Sequence, residues 1–141
     1  MKSIAIDSNV IVRYLTGDDP VQSPAATELF RDANAGRVKL IIPTSVLQEA
    51  VYALETFYEG TPDTIAPKLL SLLSLTGVTC PDARWVLDGI QWYRAKNADF
   101  GDALLCAYAR HHHCEVHTFD KELIRKFTEI TATEPPKAKA K

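Results

Sequence analysis

The chain is poor in cysteine and lacks any arrangement for it. Cys80, Cys106 and Cys114 are odd in number and have no CxxC spacing, which excludes a disulfide framework and a zinc ribbon. Reduced thiols in a cytoplasmic setting are the expectation. No apolar run approaches the length that crosses a bilayer. The opening MKSIAIDSN meets Asp7 before a signal-peptide core is complete, so neither membrane anchor nor leader is expected. There is no basic excess: 16 Lys plus Arg stand against 18 Asp plus Glu, a net charge of −2. That balance argues against a simple basic module for nucleic acid. It leaves room for an enzyme whose acids gather in one pocket. Internal repeats are absent too. What is present is ordinary globular material, 46% hydrophobic and 24% charged over 141 residues, enough for one domain with a sizeable core.

Residues 2 to 6 read as a short strand, with β-branched Ile4 and Ile6 ahead of Asp7. NVIVRYL then suits a short helix ending by Gly17. In DDPVQSPAATELFRDANAG, Ser23 is placed to cap a helix, Pro24 to open it and Gly36 to follow its end. VKLIIP is a second strand stopped by Pro43. Another helix starts near Thr44 or Ser45, where Ser45 and Gln48 have capping-box spacing. TPDTIAPKLLSLLSLTG reads as a helix restarted at Pro67, since an interior proline removes a hydrogen bond and clashes with the preceding turn. PDARWVLDGIQWYRAKN reads as a helix capped by Asp82, and ADFGDALLCAYARHHH as the next. EVHTF is a third strand, followed by a short helix in DKELIRKF. Strands alternating with helices predict a three-layer α/β/α domain over 1–131 with a short central parallel sheet. The helices between residues 62 and 95 are expected as a hairpin beside the sheet without a strand of their own. The segment 132–141 lacks an apolar pattern and is expected to be a disordered tail.

In such a sheet, residues just past the carboxyl ends of the strands share one crevice. Asp7 follows the first strand, Glu49 comes soon after the second, Asp102 lies in the first turn of its helix and Asp120 follows the third strand. Four converging carboxylates repel one another unless they are protonated or share a cation. An oxygen-only ligand set selects Mg²⁺ or Mn²⁺ over zinc. Such an ion suits phosphodiester hydrolysis, because it polarises a phosphoryl oxygen and activates water. Setting these four aside leaves 14 acidic residues against 16 basic ones, a surface that a polyanion tolerates. Each acid also has a plain structural reading: Asp7, Asp99, Asp102 or Asp120 as helix caps or dipole partners, Glu49 as a solvated helix residue.

The segments IAIDSNVIV, LQEAVYAL, DFGDALLCAYA and HTFDKEL, in this order and at these intervals, resemble the PIN domain family, and within it the VapC-type toxins of bacterial toxin–antitoxin pairs. The resemblance spans residues 2 to about 130. It implies an endoribonuclease dependent on Mg²⁺ or Mn²⁺, homodimeric, and held inactive by a cognate antitoxin protein. Carried over by position, Asp7, Glu49, Asp102 and Asp120 form the catalytic and metal-binding cluster, with Asp7 and Asp102 its principal ligands. Ser8, Asn9 and Thr118 support it by hydrogen bonds. The acid ahead of the ALL run is Asp102, which leaves Asp99 as a cap. All four acidic positions are retained, so a degenerate member is not indicated.

Three competing features carry less. RHHHCEVH suggests a metal, but consecutive helix residues point about 100° apart and cannot share one ion; structural histidines are the expectation. Arg13, Lys121, Arg125 and Lys126 lie near the expected mouth, where they would meet RNA phosphates or merely water. Trp85, Trp92 and Tyr93 have spacing that suits packing better than base stacking. Two other functions compete with the nuclease. A phosphoacceptor signalling domain would need an acid pair after the first strand and a central acceptor aspartate, whereas DSN offers one acid and LIIPTS none. A non-catalytic PIN-like binding module is the alternative that stays open.

Overall fold

The first strand, β1 (Lys2–Ala5), pairs in parallel with β2 (Val38–Ile41), Lys2 opposite Val38 and Ala5 opposite Ile41. The computed structural model describes residues 1–139. Parallel neighbours require a crossover, and helices α1 (Ser8–Thr16) and α2 (Gln22–Asn34) supply it. A second crossover, α3 (Thr44–Phe57) and α4 (Pro62–Leu73), leads to β3 (Val78–Thr79), which pairs with the other edge of β2. The chain continues through α5 (Ala83–Ala95), α6 (Phe100–His111), β4 (Val116–His117), α7 (Lys121–Lys126) and β5 (Ala132–Thr133). Helices cover the short parallel sheet as a three-layer α/β/α arrangement, as expected. Among the described residues no helix is long and apolar enough to cross a membrane.

One core joins the layers. Ile11, Leu40, Ile42, Leu47, Ala50, Leu69, Val86, Ile90, Tyr93 and Cys106 are fully buried in it. Burying a side chain of this size contributes on the order of 1.5–3 kcal/mol, so the sheet rests on its helices more than on its few ladder bonds. Trp85 stacks edge-on against Tyr108, and Trp92 against Phe127, which assigns both indoles to packing. Tyr93 is buried with its hydroxyl donating to Glu55 Oε2 at 2.7 Å, and burial pushes its pKa well above the usual range.

Several local expectations change. β3 lies inside the stretch expected to be helical only, and Gly77 before it explains the fit: a Cβ there would stand 2.2 Å from the Ala33 carbonyl oxygen of α2. β4 pairs with β5 in a separate two-stranded sheet, so the third strand does not extend the first sheet among the described residues. β5 falls within the segment expected to be a disordered tail. Residues 134–139 carry no helix or strand, and positions 140 and 141 of that tail lie outside the described residues. Ser23 is not a cap. It is buried inside α2 and donates to the Arg13 carbonyl at 2.7 Å, while Asp19 Oδ1 receives the amides of Val21 and Gln22. Ser45 and Gln48 form no capping box, since α3 starts one residue earlier at Thr44 with Pro43 as cap. The box belongs instead to Thr61 and Thr64, ahead of α4. That helix runs unbroken through Pro67. The hydrogen bond it forgoes would have ended on the carbonyl of exposed Asp63 in the first turn, where water serves as well.

Candidate active site

Because β1 and β2 run in parallel and in register, the chain leaves both at the same edge of the sheet, and Asp7 emerges beside the start of α3. Asp7 is exposed and caps α1, with Oδ1 accepting from the Ser8 amide at 2.7 Å. The Ser8 hydroxyl reaches across to α3 and donates to Glu49 Oε2 at 3.2 Å. This single bond ties the first acid's loop to the second acid. Asn9 is exposed, and its side chain makes no hydrogen bond with the described residues.

The other half is built by α6 and α7. Asp99 caps α6, as expected, with Oδ2 accepting from the Asp102 amide at 3.0 Å. Asp120 caps α7, with Oδ1 accepting from the amides of Glu122 at 2.9 Å and Leu123 at 3.3 Å. Thr118 supports it, Oγ1 accepting from the Asp120 amide at 3.0 Å. Asp102 is half-buried between them. Burial first, then the charges of Asp99 and Asp120, push its carboxyl up to about 6; Lys126 opposes the rise. Asp102 and Asp120, 18 positions apart in the chain, are thus near enough for their charges to interact.

The two halves meet at the N-terminal part of α3. A Cβ on Gly101 would lie 3.2 Å from Asp99 Oδ2 and 3.5 Å from Gln48 Nε2, so glycine lets α6 approach the helix that carries Glu49. Two contributors were missed from sequence. Asp99 adds negative charge as well as a cap, and Lys126 is the cation that tempers it. Only their nearness to Asp102 in the chain and at the expected mouth hinted at this.

Among the described residues no three His, Cys, Asp or Glu side chains stand close enough together to enclose a metal ion. Asp7 and Asp120 accept from the amides of their own helices, and Glu49 accepts from Ser8. Each keeps one oxygen, Oδ2 of Asp7, Oδ2 of Asp120 and Oε1 of Glu49, that receives no N–H or O–H donor from the described residues. These uncommitted oxygens, with the Asp102 carboxyl held up by burial first and then by its acidic neighbours, are donors of the kind a hard divalent cation takes.

The remaining candidates go elsewhere. His111 Nε2 pairs with Asp88 at 2.6 Å, and His112 lies on the Tyr108 ring. Arg13 donates to Gln22, Asp18 and Tyr58, Arg125 is paired with Glu122, and Lys126 Nζ donates to the Asn97 carbonyl. Lys121 is exposed.

A strand ending in an acid, three further acids on the helices around it and a parallel sheet beneath define a nuclease-type α/β/α domain. Residues 4–128 match the PIN domain family, and the chain belongs to it. PIN domains are in general metal-dependent nucleases. Among curated proteins nothing matches the chain.

Proposed function

We propose that this PIN domain is an endoribonuclease using Mg²⁺ or Mn²⁺, the toxin of a VapC-type toxin–antitoxin pair, active as a homodimer in the cytoplasm and restrained by a cognate antitoxin. What supports the nuclease reading is the PIN family match over residues 4–128, together with Asp102 held half-buried beside Asp99, whose Oδ2 accepts from the Asp102 amide at 3.0 Å, and within charge range of Asp120. Asp7 and Asp102 would hold the cation, with Glu49 and Asp120 completing its surroundings. When bound, the ion supplies Lewis acidity at a phosphoryl oxygen and lowers the pKa of water. Around it, Ser8 fixes the Glu49 carboxylate, and the Thr118 hydroxyl fixes the Asp120 backbone. Glu49 and Asp120 each retain an uncommitted oxygen to accept a proton from the attacking water. The attack falls on a backbone phosphate without a covalent enzyme intermediate.

The test is cleavage of a mixed cellular RNA pool by the purified, antitoxin-free chain with Mg²⁺, Mn²⁺ or EDTA, beside a folded Asp7→Asn variant. Metal-dependent cleavage lost in the variant supports the reading; cleavage that persists in EDTA or in the variant sinks it. The second reading, a non-catalytic binding module, is favoured by one observation: Asp7 and Asp120 already satisfy helix amides as caps. It requires that Mn²⁺ not bind, and a titration that shows a stoichiometric site would remove it.

A further inference from the structure

Beside the acidic crevice, α1 and α2 enclose a groove of about 300 Å³ that the proposed chemistry does not use. It opens at Asn9, two positions past Asp7. Its floor is apolar, formed by Val10, Ala25, Ala26 and Leu29, and its rim carries Asn9, Arg13 and Gln22. The rim is unusual in which hydrogen-bonding groups are spent. Gln22 Oε1 already accepts from Arg13 Nε at 2.9 Å. Arg13 Nη1 donates to Asp18 and to the Tyr58 hydroxyl, the latter at 3.0 Å. What these lining residues leave uncommitted, among the described residues, is Gln22 Nε2, Arg13 Nη2 and the whole Asn9 amide.

We propose that this groove holds one unstacked nucleobase of the RNA next to the cut, and that it prefers guanine. The proposal rests on the endoribonuclease reading and adds a position at which sequence is read. A flat apolar floor with a polar rim suits a splayed base, which RNA offers in single-stranded regions. A phosphate suits it less, because Asp18 already offsets the charge of Arg13. The rim also discriminates between purines. A free glutamine reads adenine by pairing its oxygen with N6 and its nitrogen with N7. Gln22 has given its oxygen to Arg13, so with Arg13 Nη2 it presents donors only. The purine edge that offers acceptors only is O6 and N7 of guanine.

The experiment measures binding of labelled uridine hexamers carrying one central guanine or one central adenine, using Asp102→Asn protein so that the RNA stays whole. Two further variants are made in that background. Gln22→Glu keeps an oxygen acceptor for Arg13 and removes the Nε2 donor, while its added charge weakens both oligomers alike. Asn9→Ala leaves the Arg13 contacts untouched. The expected result is about tenfold tighter binding of the guanine hexamer, a preference erased by Gln22→Glu and kept by Asn9→Ala, which weakens both oligomers alike because a free amide turns to either purine. An equal affinity for the two hexamers, binding of neither, or a preference that survives Gln22→Glu each overturns the proposal and leaves the groove to an apolar partner. The nuclease reading is judged apart from this, by wild-type cleavage of the RNA pool.

Discussion

Set against the start of α6, helix α1 treats acidic residues in the opposite way. At its C-terminal end Asp18 lies among donors: the Tyr58 hydroxyl at 2.6 Å, Thr16 Oγ1 at 2.8 Å and Arg13. The Tyr58 and Thr16 hydrogen bonds, more than the Arg13 charge, hold its carboxyl below the ordinary range. At the start of α6 acids face acids, and Asp102 is pushed up to about 6, by burial first and then by Asp99 and Asp120. The first arrangement is complete in itself and joins α1 to the end of α3. The second has unsatisfied charge that a cation would relieve. A network complete in itself holds a fold together, whereas one left short of a partner is where a ligand is expected.

Removing the strained charge should have the largest effect. Asp102→Asn is expected to lower RNA cleavage by about 100-fold or more while leaving the melting temperature unchanged or raised, because one of three crowded charges is gone. Parallel cleavage assays and thermal melts would show it; a loss of activity matched by unfolding would contradict it.

The pH dependence follows from the same residue. A carboxyl whose folded pKa is about 6 instead of 3.8 binds its proton more tightly in the folded state. In the metal-free chain its contribution is therefore favourable below the unfolded value and is lost as pH rises from about 4 to about 6, then stays level. Wild type should lose melting temperature across that window relative to Asp102→Asn, and identical profiles would refute the crowding of these acids.

Ser8→Ala releases Glu49 without removing a carboxylate. We expect cleavage to fall about tenfold or less, through kcat, with stability nearly unchanged because the bond lies at the surface. The smallest effect should come from the satisfied end. Tyr58→Phe removes two hydrogen bonds and is expected to lower the melting temperature by about 2 °C with cleavage retained. A large loss of cleavage there would mean that the end of α1 and the start of α6 are coupled.

How much of this was legible in sequence depended on whether a signal was local. Asp7 breaks an apolar strand, and Asp102 and Asp120 follow helix- and strand-end patterns, so each could be singled out locally, whereas the strand before Asp120 pairs in a separate sheet that the pattern did not predict. Strands β3 and β5 could not, because two residues have no period to read, and β3 is held by the Gly77 approach to Ala33. Ser23 and Asp19 have the same capping chemistry. Which of them serves the amides at the start of α2 was decided by Ser23 finding the Arg13 carbonyl, a partner from another helix.

By itself, then, the chain's pattern of apolar residues, caps and acids determined an α/β/α domain of the PIN family with acids at the strand ends, since each of those features is encoded within a few neighbouring residues. Only the tertiary structure decided that Ser8 holds Glu49, that Asp102 lies within charge range of Asp120, and that the oxygen of Gln22 is spent on Arg13. Each of these joins side chains from separate elements. Their partners are chosen by packing, which places groups within hydrogen-bond reach whatever their distance along the chain.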